Sequence, residues 1–163
     1  MFHLQINDHA PSFKAKDQNG NIIDSKQFEG KKWVLYFYPK DLTPGCTIQA
    51  CNIRDNYQEL KNKGITIIGV SMDNEKRHKR FIEKYNLPFP LITDTNKELI
   101  ELYGVWGTKK FMGLVFDGIH RTTFVMNEKN TIIGIINKPK NKKHSEEILE
   151  IYKNNEIEKE QRK

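Results

Sequence analysis

From Trp33 to Tyr38 the chain reads Trp-Val-Leu-Tyr-Phe-Tyr, an unbroken apolar and aromatic run stopped by Pro39. A run of strand length without polar alternation suits a strand covered on both faces, in the middle of a sheet. Beyond it, from Pro44 to Lys63, Ile48, Cys51, Ile53, Tyr57 and Leu60 recur at mainly helical spacing, and Gly64 follows the last lysine as a stop. This spacing predicts one helix of about five turns. Ile65 to Ser71 is a second buried run, so strand, helix and strand follow one another and call for a right-handed parallel crossover.

The remaining segments fit the same plan. Gln18-Asn19-Gly20 between Ser12–Lys16 and Asn21–Asp24 is an Asn-Gly hairpin signal, which places a β-hairpin at the N-terminal end. A polar helix is expected around 74–85, a short strand at Leu91-Ile92-Thr93 and a helix around 96–103. Arg121–Met126 and Thr131–Asn137 flank a turn and read as a second hairpin. Ser145 is the expected cap of a last helix whose face is Ile148, Leu149 and Tyr152. The result is an α/β, thioredoxin-like fold: a central mixed β-sheet with helices on both faces. Residues 1–153 are expected to form a single domain, and the polar residues 154–163 a frayed tail.

Composition narrows the function. The net charge is +6, but the lysines are spread along the chain with no basic recognition helix or aromatic-basic interleaving, so no nucleic-acid partner is expected. Lys138 to Lys143, the densest cationic stretch, contains a proline and an asparagine and reads as a loop. No basic leader precedes an apolar stretch, and no apolar run reaches the ~20 residues that span a bilayer. The expectation is a cytoplasmic protein with no membrane partner.

In that reducing compartment a neighbouring cysteine pair points to catalysis or sensing rather than a permanent staple. The two cysteines of the chain are Cys46 and Cys51, in Thr-Pro-Gly-Cys-Thr-Ile-Gln-Ala-Cys behind the central strand. At a strand-to-helix junction the unpaired amides and dipole of the first helical turn favour a thiolate. Gly45 permits close backbone approach, and Thr43 offers a hydroxyl to a thiolate or a bound oxygen. Attack of a thiolate on a peroxide releases negative charge on the departing oxygen, which a fixed cation stabilises best when it is largest. Arg121, with its planar guanidinium, is the candidate. The five histidines lie at no ligand spacing with the cysteines, so neither metal nor cofactor is expected.

Tyr36-Phe37-Tyr38-Pro39-Lys40-Asp41-Leu42-Thr43-Pro44-Gly45-Cys46, followed by Cys51, resembles the active-site signature of the peroxiredoxins, in particular the bacterioferritin comigratory protein (PrxQ) subfamily. Tyr103–Gly107, Phe111–Gly113 and Gly118–Arg121 are similar to later blocks of that subfamily, and the resemblance runs over roughly residues 5 to 152. It implies that Cys46 is the peroxidatic cysteine, that Thr43 and Arg121 orient and activate it, that Pro39 shields the pocket, and that Cys51 is the resolving cysteine. The implied substrate is hydrogen peroxide or an alkyl hydroperoxide, and the implied reductant is thioredoxin or a similar dithiol donor. The subfamily's usual state implies a monomer. Gln49 replaces the glutamate that many peroxiredoxins carry; it can still hydrogen-bond but cannot form an ion pair, which leaves its part in bracing Arg121 open.

Positions five apart on a helix rise ~7.5 Å and turn ~500°, which separates their Cα atoms by about 8–9 Å. A disulfide needs less than ~7 Å, so pairing Cys46 with Cys51 requires the first helical turns to unwind. Two other functions stay open on the residues alone. A thioredoxin-type disulfide oxidoreductase uses two residues between its cysteines where this chain has four. A non-catalytic redox sensor would be oxidised once, stoichiometrically, without turnover.

Overall fold

The structure, a computed structural model, describes residues 4–162. An antiparallel hairpin of β1 (Lys14–Lys16) and β2 (Ile22–Asp24) comes first, as the Asn-Gly turn requires, with Gly20 at φ 78°. The main sheet is built from β3 (Lys32–Phe37), β4 (Ile65–Ser71), β5 (Leu91–Thr93), β8 (Thr122–Met126) and β9 (Ile132–Asn137), in the order β5-β4-β3-β8-β9. β3, β4 and β5 are parallel, while β8 runs antiparallel to β3 and β9 to β8. β3 is central, and its alternate residues face two separate cores. Trp33, Leu35 and Phe37 pack with Ile68, Val70 and α4 (Glu98–Leu102) on one side. Val34, Tyr36 and Tyr38 pack with α1 (Pro44–Asp55), α2 (Tyr57–Asn62), α3 (Glu75–Tyr85) and α5 (His144–Gln161) on the other. Helices therefore cover both faces, and among the described residues none is long and apolar enough to cross a membrane.

Four local expectations change. The single helix over 44–63 is two, because Asn56 leaves helical geometry at φ −110°, ψ 12° and its side-chain amide donates to the Asn52 carbonyl at 2.8 Å. A side chain that competes for a helical carbonyl weakens the continuing helix. Ser145 does not cap α5: it lies inside the first turn with its hydroxyl buried, Lys143 holds the cap position, and the buried His144 opens the helix. The helix then continues to Gln161 where fraying was expected past Lys153, with Lys32 Nζ donating to Glu156 Oε1 at 3.0 Å on the way. A ribbon of β6 (Trp106–Phe111) and β7 (Leu114–Ile119) was not anticipated. It turns through Met112 and Gly113, both at positive φ, which are the two left-handed positions of a tight hairpin.

Candidate active site

Six residues between the end of β3 and the start of α1 set the position of the first cysteine. Pro39 is half-buried and ends the strand. Asp41, fully buried, ties the loop down: its backbone N–H donates to Asp73 Oδ2 at 2.9 Å, its Oδ1 accepts from the Tyr38 hydroxyl at 2.5 Å, and its Oδ2 meets His78 Nδ1 at 2.5 Å. His78 Nε2 donates to the Ile92 carbonyl at 2.9 Å, and Arg77 reaches the Asp41 carbonyl at 2.8 Å. A loop anchored by its own buried carboxylate has one conformation available, at the cost of a left-handed Leu42 at φ 66°. Asp41, Asp73 and His78 bring three ligand-type atoms within 4.8 Å, yet each is already engaged, and the Arg77 guanidinium lies 2.9 Å from Asp73 where a cation would sit. The cluster does not suit a metal.

Thr43 takes the N-cap position of α1 and Pro44 the first helical one, where its missing N–H costs nothing. The Thr43 hydroxyl makes no cap; it donates to the Lys40 carbonyl at 2.9 Å. Cys46 follows in the first turn, 2% exposed. Arg121, from the residue before β8, crosses over this turn. Its Nη2 donates to Cys46 Sγ at 3.3 Å and its Nη1 to Gln49 Oε1 at 2.6 Å. Gly45 leaves the space: a Cβ there would stand 3.4 Å from Arg121 Nη2 and 3.2 Å from Asn141 Nδ2. Lys109, on the β6–β7 ribbon, has its ammonium pKa lowered by burial and then by Arg121, an effect the cysteine partly offsets.

The structure thus brings Arg121 against Cys46, with Thr43 three residues earlier at the cap of the same helix. Gln49, whose part the sequence left open, does hold Arg121; a neutral amide oxygen suffices where no ion pair is possible. Cys51 is half-buried further along α1, and both thiols are free. Burial pushes the Cys51 thiol pKa up, with Arg54 opposing and Asp55 adding to the effect. Sequence reasoning missed Asp73, His78 and His144 at or beneath the site, because each joins it from a distant element and none carries a local pattern. A cleft of about 660 Å3 between the N-terminal hairpin and α4 contains none of these residues.

A thiol at a helix start beside an arginine, on a mixed sheet of this order, defines a class of thiol-dependent oxidoreductases. Residues 6–135 match the AhpC/TSA family, and the chain belongs to it. Among its relatives, the putative peroxiredoxin Bcp of Haemophilus influenzae is 44% identical over 150 residues, covering 92% of this chain and 97% of the relative. Peroxiredoxin Bcp of Escherichia coli is 41% identical over 149 residues, covering 91% and 96%. Of solved structures, a cysteine mutant of Xylella fastidiosa PrxQ superposes with a TM-score of 0.87 at 26% identity, over 95% of this chain and 99% of that one. A Xanthomonas campestris bacterioferritin comigratory protein, described for its alkyl peroxide reduction activity, gives 0.81 at 29% identity, over 88% and 91%. The chain is a thiol peroxidase with the thioredoxin-like peroxiredoxin fold.

Proposed function

We propose that Cys46 reduces hydrogen peroxide and alkyl hydroperoxides and is recycled through a disulfide with Cys51. The observation that carries this reading is the Arg121 guanidinium 3.3 Å from the buried Cys46 sulfur. The Cys46 thiolate attacks one peroxide oxygen; an S–O bond forms, the O–O bond breaks, and the second oxygen leaves as hydroxide or alkoxide and takes a proton. Cys46 becomes a sulfenic acid. Arg121 spans sulfur and departing oxygen, where negative charge grows. With its hydrogen given to Lys40, the Thr43 hydroxyl presents its oxygen to accept from the peroxide O–H, rather than donating to sulfur. Pro39 walls the pocket.

The Cys51 thiol then attacks the sulfenic sulfur, giving a disulfide and water. Both cysteines lie within the regular helix α1, five positions apart, so Cα atoms ~8–9 Å apart must close to less than ~7 Å, and the first turns of α1 open for this step. A dithiol donor, thioredoxin or a protein like it, reduces the disulfide and is itself oxidised. The cycle serves antioxidant defence and redox homeostasis in the cytoplasm, with the protein acting as a monomer.

The test is peroxide consumption in the presence of thioredoxin, thioredoxin reductase and reduced nicotinamide cofactor. Many turnovers, abolished by Cys46→Ser, are expected. A single stoichiometric oxidation would make the protein a sensor, and insulin reduction would make it a disulfide oxidoreductase.

A further inference from the structure

Arg121 is held from a side that no substrate reaches. Gln49 Oε1 accepts from its Nη1, so the amide nitrogen of Gln49 turns the other way, 3.3 Å from His144 Nδ1. An amide NH2 only donates, which requires Nδ1 to be bare. The ring hydrogen then sits on Nε2 and is donated to Thr123 Oγ1 at 2.8 Å. Gln49, His144 and Thr123 are all 0% exposed, so water does not compete for these bonds. Burial, and after it the charge of Arg121, lowers the His144 pKa to about 3; the ring is neutral and offers one donor and one acceptor.

We propose that His144 is a positioning residue for peroxide reduction, fixing the Arg121 guanidinium against Cys46 through Gln49. The inference rests on the peroxidase reading above and adds the part of the machinery that aims the arginine. An amide turned by half a circle would present N–H groups to the guanidinium, donor against donor, and would point its oxygen at the bare Nδ1. His144 therefore penalises the wrong orientation of Gln49 at the end remote from Arg121. A carboxylate at position 49 would need no such partner, since both its oxygens accept. It would, however, neutralise part of the charge that the guanidinium brings to sulfur and leaving oxygen. The neutral pair of Gln49 and His144 holds the cation and leaves its charge for the reaction.

The ring is itself fixed in place. Tyr36 meets it edge-on at 5.4 Å between centroids. The neighbouring Ser145 N–H donates to Asn52 Oδ1 at 2.8 Å, and Asn52 Nδ2 donates to the Lys142 carbonyl at 2.8 Å, which locks the start of α5 to α1. His144 is thus set against the helix that carries the thiol.

Two measurements test the proposal. Nitrogen-15 spectra of the histidine side chains at neutral pH, with His144 assigned by its loss in His144→Gln, should show a neutral ring protonated on Nε2; a ring protonated on Nδ1, or on both nitrogens, overturns the chain. Stopped-flow oxidation of Cys46 by hydrogen peroxide should be roughly tenfold slower in His144→Phe. Glutamine has both a donor and an acceptor, so His144→Gln should stay within about threefold of the parent rate. Adding Gln49→Glu to His144→Phe should recover most of the loss, because the carboxylate holds Arg121 unaided; a merely structural loss would not be recovered. An unimpaired His144→Phe, or no recovery in the double variant, refutes the positioning role alone. An unmodified protein that fails to consume peroxide refutes the peroxidase reading, and the positioning role with it.

Discussion

Replacing His144 by glutamine should flatten the acid limb of the protein's stability curve. In the folded chain burial holds this ring neutral down to about 3, with Arg121 assisting. In the unfolded chain an ordinary histidine titrates near ~6.5. Between those two values the unfolded state binds more protons than the folded one, so stability is fully present above the unfolded value and is lost as the pH falls toward the folded one. Integrated from about pH 7 to about pH 5, a single such group removes about 2 kcal/mol. The ring is 0% exposed, so solvent screening does not discount the figure. Glutamine keeps a donor toward Thr123 and an acceptor toward Gln49 but has no proton to gain. The assay is urea unfolding at the two pH values, followed by fluorescence of the buried Trp33. The parent protein should lose about 2 kcal/mol more than His144→Gln over that interval. Equal losses in the two proteins would mean that the ring is protonated in the folded state, or exposed, and would refute the account.

Cys51→Ser should oxidise at the parent rate in its first encounter with peroxide and fail in thioredoxin-coupled turnover; sustained turnover would remove Cys51 from the cycle. Arg121→Ala should slow Cys46 oxidation by about 10²–10³-fold in stopped-flow, the usual cost of one preorganised donor at a developing charge. Asp41→Ala leaves the buried Tyr38 hydroxyl and His78 Nδ1 without their partner and should cost about 3 kcal/mol in urea unfolding; a change under about 1 kcal/mol would show that the loop is not held by this carboxylate. Asn52→Ala removes two hydrogen bonds between α1 and the start of α5, should cost about 2 kcal/mol in urea unfolding, and should leave the second stopped-flow phase unchanged because the turns that open lie before Asn52. A second phase faster by roughly thirtyfold would extend the opening past Asn52.

What was legible in the sequence is what local chemistry specifies. The run at 33–38 reads as a central strand because both its faces are apolar, and Asn19-Gly20 reads as a turn because glycine takes the positive φ. Cys46 and Thr43 announce themselves at a strand-helix junction. The β6–β7 ribbon was missed because Met112 sits in a left-handed turn position usually given to asparagine or glycine, so no turn signal marks it. Its exposed Phe111, Met112, Leu114 and Val115 also lack the alternation of a half-buried hairpin. The break at Asn56 was missed because it depends on a side chain bonding back to a carbonyl, which periodicity does not register. Gln49 was underrated for a different reason. Its value lies in His144, 95 residues away, and an isolated glutamine gives no sign of which end of its amide is fixed.

The site and the fold meet in α1, which has two requirements that conflict. In the proposed cycle, Cys46 must stay in the first turn under Arg121 to attack a peroxide, so the helix must be firm. To form the proposed disulfide, the same turn must come apart. The contacts divide these demands along the helix. The N-terminal turn carries a proline, no side-chain cap, and a threonine hydroxyl spent on the loop; Arg121, the Thr47 N–H bond to the Thr43 carbonyl and the packing of Cys46 in the core hold it. The middle of the helix is clasped through Gln49 and Asn52 and buries Ala50 and Ile53. In the proposed cycle, oxidation adds an oxygen where the guanidinium had met the bare sulfur, and so weakens that contact on the N-terminal half. The proposed chemistry thus loosens the turn that has to move, while Cys51, as the proposed resolving thiol, waits on the part that does not.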